Sequence, residues 1–137
     1  MKVHYTDTPE TLSAEMLTGF FVGWPNPPVP ERHLAILRGS YRVWLALADE
    51  RCIGFINALS DGVFYAYLPL LEVLPAYQGR GVGRRLVGLM MESLSFTYAV
   101  DVCCDEDLVP FYRKAGFFEV RAMARRTYAR QAGEPLG

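Results

Sequence analysis

Leu70-Leu71-Glu72-Val73-Leu74-Pro75-Ala76-Tyr77-Gln78-Gly79-Arg80-Gly81-Val82-Gly83-Arg84-Arg85-Leu86 reads as an apolar strand that runs into a glycine-rich, basic turn and then into a helix. That order of parts builds an anion site. Glycines at 79, 81 and 83 let several backbone N–H groups converge without interference from Cβ atoms. The helix that follows points its unpaired N–H groups and the positive end of its dipole at the same spot. Arg80, Arg84 and Arg85 add charge. The chemistry suits a phosphate or pyrophosphate.

Two familiar glycine loops do not fit. A P-loop requires G-x-x-x-x-G-K-[ST]. Counted from Gly79, its second glycine falls on Arg84, and no Lys-Ser/Thr pair follows. A dinucleotide fingerprint requires G-x-G-x-x-G. Gly79 and Gly81 satisfy its first two positions, but the third is again Arg84. The acidic ribose contact expected about 20 residues further on is replaced by the Cys103 and Cys104 region.

What remains, Gln78-Gly79-Arg80-Gly81-Val82-Gly83, has the form Q-x-x-G-x-G and resembles the pyrophosphate loop of the GCN5-related N-acetyltransferase (GNAT) superfamily. Upstream, Leu71-Glu72-Val73-Leu74-Pro75 is similar to that family's L-x-V-x-P strand end. Downstream, the segment from Asp105 to Phe117 is similar to its N-x-x-A-x-x-L-Y-x-K-x-G-F segment. Tyr112, Lys114, Gly116 and Phe117 match, while Asp105, Leu108 and Phe111 replace Asn, Ala and Leu. Both motifs stand in the family's order, with a helix and a strand between them, and cover roughly residues 63 to 120.

The flanking sequence is compatible with such a domain. Lys2 to Thr6 reads as an edge strand. Thr8-Pro9 reads as the capped start of a helix with Leu12, Met16, Phe20 and Val22 on its apolar face. Pro25, Pro27, Pro28 and Pro30 make Trp24 to Pro30 a stiff loop. Glu31 to Arg38 is a short helix ending at Gly39. Tyr41–Ala48, Cys52–Leu59 and Val63–Leu74 are successive antiparallel strands, the last interrupted by Pro69. Val82 to Leu94 is an amphipathic helix with Leu86, Leu89, Met90 and Leu94 inward. Tyr98 to Cys104 is a strand and Pro110 to Ala115 a short helix closed by Gly116. Phe117–Val120 and Arg125–Tyr128 are expected as the last two strands.

The expected fold is α/β (α+β by strict naming). It is a mixed, mostly antiparallel sheet of six or seven strands flanked by about four helices. The resemblance implies a sheet splayed between the strands carrying Val73 and Val102, with acetyl-CoA entering the gap; Pro69 supplies one physical cause of the splay. One domain over 1–137 is expected, with about 130–137 as a loose tail.

Bulk properties narrow the classes. At 51 % apolar content the 137 residues can build a real core, and the net charge of −1 argues against nucleic acid or an anionic membrane surface as partner. No apolar run has the length of a membrane span, and the opening residues carry no signal-peptide pattern. Cys52, Cys103 and Cys104 are odd in number, and adjacent strand residues point to opposite faces, so a reducing cytoplasm fits. His4 and His33 are isolated, and no Cys/His spacing suits a metal.

The resemblance assigns the candidate site. The cofactor-binding residues are Leu71, Val73, Gln78, Gly79, Arg80, Gly81, Val82, Gly83, Arg84, Asp105 and Tyr112, with acetyl-CoA as cosubstrate. Val73 offers its backbone to the pantetheine amides as an added strand would. Tyr112 is expected near the thioester sulfur, as proton donor to the thiolate; the alternative is a packing aromatic. Glu72 has two readings: a general base for the amine, or a structural ion pair with an arginine. The family's frequent carboxylate falls two residues earlier, at Leu70. Asp105 is expected to bond backbone as the Asn it replaces would. Phe20, Trp24 and Tyr67 are candidates for the acceptor pocket, with core packing as the alternative. The implied activity is N-acetylation of a primary amine of a small molecule by direct attack, within a possible homodimer. A non-catalytic acyl-CoA-binding domain and a protein lysine or N-terminal acetyltransferase are the alternatives.

Overall fold

The computed structural model describes residues 2–134. Six strands and three α-helices follow one another as β1 (His4–Thr6), α1 (Pro30–Gly39), β2 (Arg42–Ala48), β3 (Arg51–Ser60), β4 (Tyr65–Leu68), β5 (Leu71–Val73), α2 (Val82–Ser93), β6 (Ala99–Val102) and α3 (Val109–Lys114). The sheet order is β1-β2-β3-β4-β6, with β5 also paired to β3. All pairings are antiparallel except β4 with β6, which is parallel. The mixed, mostly antiparallel sheet is the one expected from the sequence.

The third long strand of the sequence pattern is two strands. β4 pairs β3 at Leu59↔Tyr67 and Ser60↔Ala66, and β5 pairs it from Ile56↔Leu71 to Gly54↔Val73. Pro69 and Leu70 lie between, at the break. Asn57, buried on β3, bridges it. Its backbone N–H donates to the Leu70 carbonyl at 3.2 Å, and the Leu70 N–H donates to Asn57 Oδ1 at 3.0 Å. Asn57 Nδ2 donates to Ser40 Oγ at the end of α1. A side-chain oxygen thus stands in where the ladder is irregular. The parallel β4–β6 register runs to Leu68↔Val102, immediately before Pro69. Beyond that point β5 stays with β3 while the chain after β6 departs, which is the splay.

α2 packs on one face of the sheet through Val82, Leu86, Val87 and Met90. Gly54 permits the approach: a Cβ there would meet Leu86 Cδ1 and Val82 Cγ1 at 3.3 Å, tighter than ordinary contact. α1 covers the other face, where His33 is enclosed by Phe20, Phe21 and Phe55 at ring-centroid distances of 5.3, 4.9 and 4.3 Å.

Two expectations are corrected. The helix expected from Thr8 is two short 3₁₀ turns, Pro9–Thr11 and Ala14–Leu17, and Thr8 makes no side-chain cap. Leu12, Leu17, Phe20 and Phe21 reach the core from irregular backbone, because Gly19, Phe21 and Gly23 take positive φ. The α-helices among the described residues are therefore three rather than about four. Phe117–Val120 and Arg125–Tyr128 form no strands. The tail is tied down as far as it is described: Asn26 donates from its backbone N–H to Gln131 Oε1 and from Nδ2 to the Tyr128 carbonyl, and Arg32 donates to the Gly133 carbonyl. The remainder of the expected loose tail, 135–137, lies outside the described residues.

Two measurements test this packing. Asn57→Ala strands the part-buried Leu70 N–H and is expected to cost about 1–3 kcal/mol in urea unfolding. His33 is 1 % exposed with neither ring nitrogen hydrogen-bonded, and burial pulls its pKa down to about 4. The folded ring stays neutral, so its contribution is complete above about pH 6.5 and is lost as pH falls toward 4, about 3 kcal/mol in all. Unfolding of His33→Leu is expected to lack that part of the pH slope.

Candidate functional site

β5 owes its role to its register. The Leu70 carbonyl accepts from the Asn57 N–H, and the Leu74 N–H donates to the Ile53 carbonyl of β3. By the alternation of an antiparallel ladder, the backbone groups of Leu71 and Val73 point the other way, into the gap left by the departing β6. The Val73 carbonyl accepts from Gln78 Nε2 at 2.9 Å, which ties the loop to the strand. The Val73 N–H faces the gap.

At the end of that gap the chain turns through a 3₁₀ turn, Pro75–Tyr77, into the glycine loop. Gly79 and Gly81 have φ of +78° and +81°, and nothing lies within 4 Å of where their Cβ atoms would be. Their requirement is conformational rather than spatial. Gly81 is the N-cap of α2. Its carbonyl accepts the first helical bond, from Arg85 N–H at 3.0 Å. The N–H groups of Val82, Gly83 and Arg84 precede that bond and are the orphan donors of a helix start. Arg80 and Arg84 stand exposed at the rim. The Arg80 guanidinium lies 5.9 Å from the Tyr77 ring centroid, and Arg85 turns away to lie 5.9 Å over Tyr5. The wall opposite Gly83 comes from α3 and β5. A Cβ on Gly83 would sit 3.7 Å from Phe111 Cζ and 3.8 Å from Val73 Cγ2. Strand, loop, helix start and α3 therefore converge, and Phe111 is the α3 side chain at the meeting point. As a substituted position of the second motif, it carried no sequence signal for that place.

Tyr112 is buried beside it, edge-on to Phe111 and Phe117 at 5.0 and 5.6 Å. Burial, with a smaller contribution from Cys104, pushes its phenol up to about 12. Its side chain lines a cavity with Val102 and Cys104. Asp105 is exposed, and its carbonyl rather than its carboxylate caps the Glu106–Leu108 turn, accepting from Leu108 N–H at 2.9 Å.

Glu72 is engaged by backbone. Phe21 N–H donates to Oε1 at 2.8 Å and Val22 N–H to Oε2 at 3.3 Å. Among the described residues its carboxylate takes no part in the two ion pairs, which join Arg42 to Asp7 and Arg113 to Glu119. It holds a loop in which Phe21 adopts φ +64°, a costly conformation for a non-glycine residue. The three acceptor-pocket candidates are dispersed. Phe20 is core, against His33 and Phe55. Trp24 is exposed, with its ring 4.8 Å from that of Phe21. Tyr67 lies on β4, in a depression shared with Asp101, Cys103 and Arg126.

A sheet splayed beside a glycine loop at a helix start is the arrangement that the resemblance to the GNAT acetyltransferases implies. A family model described as the Acetyltransferase (GNAT) family matches residues 10–117, and the chain belongs to that family. The solved structure of a putative acetyltransferase from Deinococcus radiodurans is 42 % identical, with a TM-score of 0.94 over 98 % of this chain and 94 % of that one. A GNAT family protein from Streptococcus pneumoniae is 26 % identical, with a TM-score of 0.76 over 92 % and 98 % of the two chains. Among curated relatives, an uncharacterised N-acetyltransferase of Pyropia yezoensis is 27 % identical over 72 % of this chain and 59 % of its own length. A histone acetyltransferase of Glycine max is 31 % identical over 70 % of this chain and 47 % of its own. The chain thus spans about half the length of the curated relatives it matches. No helix of the described residues is long and apolar enough to cross a membrane.

Glu72→Ala frees two backbone donors of the 21–22 loop. It is expected to lower unfolding free energy by about 1–3 kcal/mol, and Glu72→Gln, which keeps one acceptor oxygen, to recover part of it in the same urea titration.

Proposed function

We propose that this protein is an acetyl-CoA-dependent N-acetyltransferase that acetylates a primary amine of a small molecule. The observation that carries the reading is the convergence of Val73, with its backbone turned into the β5–β6 gap, and the glycine loop at the start of α2. An extended pantetheine amide pairs with strand backbone as an added strand does, and a diphosphate suits the orphan N–H groups of Val82 to Arg84 with Arg80 and Arg84 at the rim.

The reaction is direct attack. The neutral amine nitrogen bonds to the thioester carbonyl carbon, and the developing oxyanion is stabilised by the Val73 N–H. The C–S bond then breaks, and the thiolate takes the phenolic proton of Tyr112. With its pKa raised to about 12, that phenol carries its proton throughout the physiological range. The role of Tyr112 rests on the family resemblance, since α3 presents Phe111 toward Gly83. Glu72, with both oxygens accepting backbone N–H groups, acts in this reading as a positioning residue for the acceptor-side loop, and the amine proton leaves to water, which returns a proton to the Tyr112 phenolate. The free thiols of Cys52, Cys103 and Cys104 suit a reducing compartment such as the cytoplasm.

Free thiol release from acetyl-CoA across a panel of amines tests the reading. Turnover with one amine class is expected, and binding without turnover across the panel overturns it in favour of a non-catalytic acyl-CoA-binding domain. Tyr112→Phe is expected to lower kcat about 10²-fold. Glu72→Gln is expected to stay within several-fold of wild type with the same pH profile; a 10²-fold loss with a displaced acid limb makes Glu72 the base.

A further inference from the structure

Strand register shows which side chains share the face of Glu72. Phe55 and Leu59 stand on one face of β3, the face on which Phe55 meets His33 of α1. Their antiparallel partners are Glu72 on β5 and Tyr67 on β4. Glu72, Tyr67 and, two residues before it, Tyr65 therefore stand on that same face, while Ala66 and Leu68 are buried on the opposite one. Tyr67 is in parallel register with Asp101 of β6, which joins it there, and Cys103 follows two residues on. Glu72 holds the backbone of Phe21 and Val22 on this face.

Tyr65, Tyr67, Asp101 and Cys103 floor a depression of about 470 Å³, and residues 120–126 form its outer wall. That volume lies in the range of small-molecule sites. From Asp101 to Cys103 the floor runs about 7 Å at a 3.3 Å rise per residue. Cys103 is the first residue beyond the last paired position of β6, Val102, so the inner end of the depression meets the mouth of the splay. The floor is fixed by its own bonds. The Tyr65 phenol donates to Asp101 Oδ2 at 2.9 Å, and Tyr67 shares a hydrogen bond with the Cys103 side chain.

The wall is cationic. It carries Arg121, Arg125 and Arg126, and none of the three belongs to either ion pair of the described residues. Glu119, the acid of the same stretch, is taken by Arg113. The floor offers one carboxylate, Asp101, and it already accepts the Tyr65 phenol. The Cys103 hydrogen bond and burial push the Tyr67 phenol up, while Arg126 pulls it down, which puts that guanidinium within electrostatic reach of the Tyr67 hydroxyl. Three unpaired guanidinium groups against one engaged carboxylate favour an anion over a second ammonium. The planar fork of a guanidinium matches a carboxylate or a phosphate.

We propose that the acceptor is a small primary amine that also carries a carboxylate or phosphate group, bound in this depression with its anion on Arg126 and its neighbours Arg121 and Arg125 and its amine toward the β5–β6 gap. The assignment of the amine end rests on the acyl-transfer reading; the anion end rests on the depression alone. Tyr67 and Arg126 are the specificity-determining residues, and Tyr65 and Asp101 position the floor beneath the bound molecule.

Four amines on one three-methylene spacer test this: butylamine, 1,4-diaminobutane, 4-aminobutanoate and 3-aminopropyl phosphate. In thiol release from acetyl-CoA, one of the two anionic amines is expected to exceed butylamine in kcat/KM about 10-fold, through KM. Whichever leads separates carboxylate from phosphate. The double substitution Arg125→Gln, Arg126→Gln is expected to remove that ratio, and Arg126→Lys, which keeps the charge, to retain part of it. Turnover with equal ratios across the series, or with the diamine in the lead, overturns the proposal and leaves the acyl-transfer reading standing. Binding is measured separately, by amide chemical shifts of residues 65–67 and 101–103 during titration with 3-aminopropyl phosphate and with 4-aminobutanoate in the presence of CoA. Saturable shifts that weaken about 10-fold in the double variant, without turnover of any amine, support the anion site and overturn the acyl-transfer reading instead. The absence of both turnover and shifts at these amides overturns the proposal.

Discussion

The bend between β4 and β5 is the constraint on which the rest of the molecule depends. A strand that continued straight past Leu68 would keep its hydrogen bonds to β6 and close the sheet. Pro69 has no N–H to give, and the irregularity it introduces is stitched to β3 by Asn57, through both its backbone and its side chain. The stitch continues through Ser40 Oγ to the Ile36 carbonyl of α1. The break is thus held rigidly on the β3 side and left open on the β6 side. Strand backbone turned toward an empty gap is the outcome, and a buried polar network is what makes it stable.

From that bend the loop geometry follows. β5 is only three residues long, and its last residue hands the chain to Leu74, Pro75 and the turn that carries Gln78. Gln78 reaches back to the Val73 carbonyl, so the position of the loop is slaved to the strand. α2 is in turn fixed by Gly54, where the absence of a side chain lets Val82 and Leu86 sit against β3. The orphan N–H groups at the start of α2 therefore point where the strand ends because one glycine of β3 permits close packing beneath them. Glu72 couples the opposite side: its side chain leaves the same three-residue strand to hold the backbone of Phe21 and Val22. One short strand organises both the glycine loop and the loop at Phe21 and Val22.

Much of this was legible in the residues. The ranges of β2 and β3, the amphipathic stripe of α2, the glycine loop and the placement of Pro69 at the splay all follow from local chemistry, and the structure places them as read. The failures have a common cause. The N-terminal segment has helical spacing of apolar residues, but Gly19, Phe21 and Gly23 break the backbone, and the core takes those side chains from turns. At the other end, 117–120 and 125–128 have strand composition, but a strand needs a ladder of hydrogen bonds, and these residues lie beside β6 without pairing to it. Glu72 was read as base or ion pair because an acidic residue in an apolar strand demands a partner; that the partner is the amide backbone of residues about 50 positions away is invisible to spacing.

By itself the sequence determined the family, through two motifs whose glycines, basic residues and aromatic positions are tied to local backbone geometry and so survive without knowledge of the fold. It also determined a glycine turn with exposed backbone donors at a helix start, since φ-permissive glycines and a dipole are local properties. Only the tertiary structure decided which α3 ring faces Gly83, what Glu72 holds, how Asn57 stabilises the bend, and that among the described residues the sheet ends at β6 with a slot beside it. Each of these depends on contacts between residues distant in the chain, and such contacts are set by how layers pack rather than by any local pattern.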